Sequence, residues 1–299
     1  MSNSKSRLFP RQACFVVADV AAAAAEASRR FGWGPFMTFT PTFEDVEYRG
    51  TVATRVNEVA LGMAGAVQVE LVHVHEGFDC ISTYQHRYGR GFQHLGIGCR
   101  SRDAAIERLE SLGARLDESS EYAGVKIGFV DVPTGPGMFE LLQSTSAEAG
   151  PKGEQASHEI VEPVVELDRA TIVTENMDSA LAFYRAAFDW ENISATSQTL
   201  RYGPKEVRLR RAVGHAGLME LELLEGIRGS DDPYSAHLGR GEHGLIHAGA
   251  IGRKSSPGAT PYQWLEAGES FELFDWAGGD GSLQLRWGET GARAPLSVL

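Results

Sequence analysis

Short apolar runs, some β-branched and some alternating with polar residues, recur along this chain at intervals too regular for chance. QACFVVADVAAAAAEASRRFGW (12–33) aligns without gaps on RATIVTENMDSALAFYRAAFDW (169–190). Each copy predicts a short strand, a turn at Asp19 or Asn176, and a helix that ends at an aromatic residue. In the second copy Ala180, Phe183, Tyr184, Ala187 and Phe188 share one helix face. Both halves continue alike. An acidic, otherwise apolar strand follows, VQVELVHV (67–74) or LMELELLE (218–225). A glycine-flanked strand with a single histidine comes next, GFQHLGIGC (91–99) or GLIHAGAIG (244–252). A last strand closes each half, GMFELLQ (137–143) or GSLQLRW (281–287).

The unit also recurs within the first half. Ser101 is placed to cap a helix over RDAAIERLESL, with Ile106, Leu109 and Leu112 as its buried stripe and Gly113 as its stop. The expectation is therefore an α+β fold of four βαβββ modules, two per half, with curved mixed sheets around a cleft. The last module is degenerate: residues 253–270 hold Pro257 and Pro261 and leave room only for a short helix around Tyr262–Ala267. Residues 1–9 are polar and expected to be loose. The Ser-, Ala-, Gly-, Glu- and Pro-rich stretch around 146–164 predicts a linker between a unit at 10–145 and a unit at 165–290.

Composition narrows the function classes. The 299 residues are 42% hydrophobic, enough for ordinary cores, and carry a net charge of -12 without a basic cluster. That charge argues against a nucleic-acid partner. Cys14, Cys80 and Cys99 are too few and too scattered for a disulfide framework or a zinc knuckle, and Cys80 and Cys99 are expected to be small core residues. The apolar run 13–25 is interrupted by Asp19 and followed by Glu26, which argues against a membrane span or a secretory segment. A cytoplasmic protein with a small-molecule substrate is expected, with a homodimer left open.

The paired βαβββ pattern, with YQHRYGRGFQHLGIGCRSRDAAIERLESLGARL (84–116) and the later GMFELLQ, resembles the vicinal-oxygen-chelate superfamily. That superfamily includes glyoxalase I, methylmalonyl-CoA epimerase, extradiol dioxygenases and bleomycin-resistance proteins, and the match is best to the epimerase and glyoxalase-like branch. The resemblance implies one metal ligand from each of four strands. Carried over by position, these are Gln12, Glu70, His94 and Glu140, the residue types and order of the glyoxalase I set. Epimerases usually show His at the first place, so Gln12 leaves that assignment open. The implied cofactor is a divalent ion: zinc, nickel, cobalt, manganese or magnesium, with iron less expected. The implied enzyme is a lyase, isomerase or epimerase that moves an α-proton of a small carbonyl substrate through a metal-stabilised enolate. Glu140 would leave the metal to take the proton, with Glu70 as the second catalytic carboxylate.

One argument is independent of the resemblance. Glu70 and Glu140 interrupt apolar strands, and two carboxylates turned into one cleft need a compensating cation, either a metal or an Arg or Lys from another strand. The corresponding positions of the second half are Arg169, Glu222, His247 and Gln284. A guanidinium does not ligate a metal, so this half is expected to be metal-free, with Arg169 and Glu222 paired.

Plainer readings stand beside these. His94 is compatible with a satisfied strand histidine, and Gln12 with a hydrogen bond at the start of an edge strand. A one-residue register slip would turn Glu70 and Glu140 outward. His73 and His75 should face away from Glu70. TYQHRYGRGFQ (83–93) is a solvated loop or an anion-binding one. Two other functions remain. An extradiol-type dioxygenase suits the length and tandem pattern but needs two His and one carboxylate for iron, against one His per half here. A metal-free binding or resistance protein would use Trp33, Phe36, Phe39, Phe43 and Tyr48 as an aromatic wall, unless these are ordinary core and loop residues.

Overall fold

Three helices start where a short polar side chain caps them. Asp19 Oδ1 accepts from Ala22 N at 2.8 Å, Ser101 Oγ from Ala104 N at 3.3 Å, and Asn176 Oδ1 from Ser179 N at 3.0 Å. The computed structural model describes residues 8–145, 150, 154–155, 165–202, 204–227, 232–239, 244–252, 262–264, 269–276 and 279–287. Along the first half run β1 (Phe9–Val16), α1 (Val20–Phe31), β2 (Met37–Phe39), β3 (Thr42–Tyr48), β4 (Thr51–Ala64) and β5 (Val67–Glu76). Then come α2 (Cys80–Tyr88), β6 (Gly91–Gly98), α3 (Arg102–Glu110), β7 (Arg115–Tyr122), β8 (Val125–Val132), β9 (Gly135–Ser144) and the two-residue β10 (Glu154–Gln155). The second half holds β11 (Val165–Thr174), α4 (Met177–Phe188), β12 (Thr196–Tyr202), β13 (Lys205–Ala216), β14 (Met219–Glu225) and α5 (Pro233–Gly239). It ends with β15 (Gly244–Gly252), β16 (Tyr262–Trp264), β17 (Glu269–Trp276) and β18 (Gly279–Trp287).

The molecule is mixed α+β and strand-rich. The first sheet curls until β4 meets β5, giving the circuit β1-β5-β4-β3-β7-β8-β9-β6, with β2 and β10 continuing outward from β4. The second sheet is a closed barrel, β11-β14-β13-β12-β16-β17-β18-β15. The two circuits have the same order, and the registers agree. Cys14 lies opposite Glu70 and His94, as Thr171 lies opposite Glu222 and His247. Gly96 lies opposite Gln12 and Glu140, as Gly249 lies opposite Arg169 and Gln284. Closure removes sheet edges and leaves each strand with an inner and an outer face.

The largest hydrophobic cluster joins helix faces to the outer sides of both sheets. It includes Phe31 and Trp33 from the first half and Phe183, Tyr184 and Trp190 from the second. Trp33 Nε1 donates to Val165 O at 2.9 Å, Tyr184 and Thr134 share a hydrogen bond of 2.8 Å, and Phe139 stacks edge-on against Tyr184. Smaller clusters fill the inner sides, one around Cys14, Phe43 and Phe129 and another around Val173, Leu200 and Tyr234.

Three expectations need correction. Residues 83–88 of the supposed loop are helical, because Asp79 and Ser82 cap each other reciprocally and start α2. Tyr262–Trp264 is a strand paired with β12 and β17, not the start of a short helix; residues 265–268 lie outside the described residues. Phe9 already belongs to β1, and Leu8 is buried. The expected linker lies mostly outside the described residues, but Glu154–Gln155 pair with β2.

Candidate metal centre

Alternation along four neighbouring strands aims β1, β5, β6 and β9 side chains into the first sheet's interior. There Glu70, His94 and Glu140 come together. His94 Nε2 lies 3.4 Å from Glu70 Oε2 and 3.2 Å from Glu140 Oε2. The ring is fully buried, while the two carboxylates keep 13% and 9% of their side-chain surface exposed. Both glutamates therefore face inward, as the ligand pattern requires, and a slipped register does not occur. Phe129 packs edge-on against the His94 ring at 5.1 Å.

Gln12 lines the same cavity, two residues along β1 from Cys14. Its Nε2 donates to Gln68 Oε1 at 3.0 Å, and its Oε1 is buried without a partner. Gly96 makes this position possible: a Cβ there would collide with Gln12 Oε1 and Cβ. The cavity holds about 250 Å³ and is lined by Gln12, Glu70 and Glu140 at one end. Phe39, Phe43, Val59, Leu61, Tyr122 and Ile127 form apolar walls. Of the aromatics considered for such a wall, Phe39 and Phe43 serve it. Trp33 and Phe36 are buried in the shared core, and Tyr48 faces a smaller cavity of about 90 Å³.

Two further residues stand near the site. Cys14 shares the strand face of Gln12, and a ligating atom from each of Cys14, Glu70 and His94 lies within 4.8 Å of the others. Gln93 should point away from His94, but β6 bulges there: the pairing steps from Cys14–His94 to Phe15–Phe92. Gln93 Oε1 thereby meets His94 Nδ1. That contact leaves Nε2 as the nitrogen facing the carboxylates. In the second barrel the equivalent bulge carries Ile246.

The electrostatics follow from burial. Burial of His94 opposes its ionisation, but Cys14 and Glu140 beside it prevail and hold the imidazole well above its ordinary range. Burial raises Glu140; His94 lowers it in part and Glu70 adds to the rise. Burial, with Glu70 nearby, pushes the Cys14 thiol far up. His94 Nε2 is close to two carboxylate oxygens, and Gln12 Oε1 nearby is buried without a partner. An imidazole nitrogen, an amide oxygen without a partner and two converging carboxylates form a donor set that fits a divalent cation.

The second barrel supplies its own cations. Arg169 reaches Glu220 at 2.7 Å and Glu222 at 3.4 Å, while Arg211 reaches Glu222 at 2.7 Å and Thr171 Oγ1 donates to Glu222 at 2.7 Å. The expected Arg169–Glu222 pair is present, and Arg211 and Glu220 complete it. Burial alone would raise Glu222; Arg211 and Arg169 overcome that and hold it at about 2. The strand positions of His247 and Gln284 match those of His94 and Glu140, but their side chains lie outside the described residues.

His73 and His75 take no part. His73 Nδ1 lies 2.9 Å from Val17 O, and exposed His75 lies 3.3 Å from Glu58. Cys80 is buried as expected, but Cys99 is only half-buried. Among the described residues no helix is long and apolar enough to cross a membrane.

Comparison with known proteins agrees with this fold. The chain covers 94% of a triple mutant of 4-hydroxymandelate synthase from Streptomyces coelicolor, with 97% of its own length, a TM-score of 0.62 and 14% identity. It covers 99% of a hypothetical protein from Staphylococcus aureus, with 94% of its own length, a TM-score of 0.51 and 8% identity. With 97% of its length it matches 50% of a xylose isomerase-like TIM barrel/4-hydroxyphenylpyruvate dioxygenase fusion protein, at a TM-score of 0.55 and 11% identity. No curated sequence matches the chain at a significant level. At these identities the structures show a shared fold. Residues 11–129 match the model of the Glyoxalase/Bleomycin resistance protein/Dioxygenase superfamily.

Proposed function

We propose that the chain is a divalent-metal-dependent enzyme that transfers a proton at a carbon next to a carbonyl, as glyoxalase-type lyases, isomerases and epimerases do. One observation carries the proposal. The buried His94 Nε2 lies between two carboxylates at the end of a cavity they help to line. Glu70, His94 and Glu140 would hold the ion, with Gln12 Oε1 or Cys14 Sγ as the donor from β1. When bound, a divalent cation supplies Lewis acidity at a carbonyl oxygen, which makes the neighbouring C–H easier to deprotonate.

The chain's own residues do the rest. Glu140 takes the proton: burial raises its basicity, and it lines the cavity. Glu70 holds the opposite side of the site. Gln93 fixes the orientation of His94, and the apolar walls keep water away from the reacting carbon. On this reading residues 10–145 form the working unit, built of two βαβββ modules. Residues 165–290 form a second unit of the same ancestry whose ion is replaced by Arg169 and Arg211, and 146–164 connects them.

A dioxygenase is the second reading, supported by the fold shared with 4-hydroxymandelate synthase and the dioxygenase fusion protein. The single imidazole in the cluster weighs against it. Deuterium wash-in from heavy water into dihydroxyacetone, followed by NMR on the metal-loaded protein, separates the two. Wild type should catalyse exchange at least ~100-fold faster than Glu140→Gln. Equal rates in the two proteins, or oxygen uptake with iron and a catechol in place of exchange, would overturn the proton-transfer reading.

A further inference from the structure

The cavity has a second polar place, on β4. Residues 55, 57, 59 and 61 of β4 all line it, and Leu61 lies opposite Glu70. Asn57 is therefore four residues further along, about 13 Å at the usual strand rise. It is 2% exposed, and its side-chain Oδ1 is buried without a hydrogen-bond partner. Arg55, also 2% exposed, has an unpartnered Nε. Buried polar groups are nearly always paired, so two orphans on one cavity wall point to something that pairs with them.

The chemistry of that something is constrained. Arg55 Nη1 already meets Asp79 at 2.6 Å and Glu118 at 2.8 Å, and its guanidinium stacks on Phe43 at 4.0 Å. One guanidinium against two carboxylates leaves no net positive charge for an anion. An Asn side chain offers both a donor and an acceptor. The rest of the lining includes Phe39, Phe43, Leu61 and Tyr122, with Phe43 and Tyr122 in ring contact at 5.1 Å.

We infer that Asn57, supported by Arg55, is a distal specificity subsite for an uncharged hydrogen-bonding group, a hydroxyl or carboxamide, at the far end of an elongated apolar substrate. This rests on the proposed function for the near end, where two neighbouring oxygens would meet the ion.

Three biphenyl hydroxamates test it: one with a bare far ring, one with a terminal carboxamide and one with a terminal carboxylate. Affinities are measured by calorimetry on wild type and Asn57→Leu, with and without chelator. In wild type the carboxamide should bind about tenfold tighter than the bare ring, and the carboxylate should show no gain. In Asn57→Leu the tenfold gain should vanish, while Tm holds or rises, because a buried amide oxygen without a partner has been removed. A purely structural Asn57 would instead lower Tm. A gain that survives Asn57→Leu, or a carboxylate that binds best, overturns the subsite. Chelator reports on the near end alone. If it weakens none of the three probes while the carboxamide gain persists, the metal reading fails and the subsite stands.

Discussion

Glu222→Gln perturbs the second barrel where the first holds its candidate ion site. The substitution keeps the shape and removes one charge from a fully buried carboxylate bound by Arg211, Arg169 and Thr171. The native group titrates at about 2 against an ordinary 4.5. Because the folded value is depressed, the stabilisation is present above the ordinary value and is lost as pH falls from there through about 2. That shift corresponds to about 3 kcal/mol near neutral pH. The figure agrees with the roughly 3–5 kcal/mol cost of breaking a buried pair. At pH around 3 less than half of it, about 1 kcal/mol, should remain. Urea unfolding of both proteins at the two pH values gives the difference directly. Arg201→Ala serves as control, since its pair with Glu206 is half-exposed and should contribute under ~1 kcal/mol. If Glu222→Gln is as stable as wild type near neutrality, or if its deficit does not shrink at low pH, the arginines do not fill the place of an ion.

Two further outcomes follow from the first barrel. Gln93→Ile installs the residue found at the equivalent bulge, and should weaken divalent-ion affinity by ~10–100-fold in calorimetric titration, with Gln93→Glu retaining most of it. Gly96→Ala forces a Cβ against Gln12 Oε1 and Cβ, and should lower stability by about 1–3 kcal/mol in urea unfolding; a neutral result would mean that Gln12 is not held where the structure places it.

Much of this architecture was legible in the sequence, for identifiable reasons. Asp19, Ser101 and Asn176 are caps followed by apolar periodicity, so α1, α3 and α4 could be placed in advance. Glu70 and Glu140 could be assigned inward because each sits among apolar strand residues that must be buried as well. Where local rules failed, a specific physical feature intervened. The bulge in β6 put Gln93 beside His94, and strict alternation cannot show a bulge. Helix α2 lacks a broad apolar face, burying only Cys80 and Ile81, so its signal was the Asp79–Ser82 cap rather than periodicity. Cys14 blends into an apolar strand, and only the pairing register sets it opposite both Glu70 and His94. Arg211 required knowing that β13 lies beside β14.

The most direct test is elemental analysis of the purified protein after reconstitution with zinc, nickel, cobalt, manganese or magnesium and removal of loosely bound ions, wild type against His94→Ala. A stoichiometric divalent ion in wild type, lost in a folded His94→Ala variant, is the predicted result. A wild-type protein that retains none of the five ions, or a variant that retains as much as wild type, would contradict a metal centre at Glu70, His94 and Glu140.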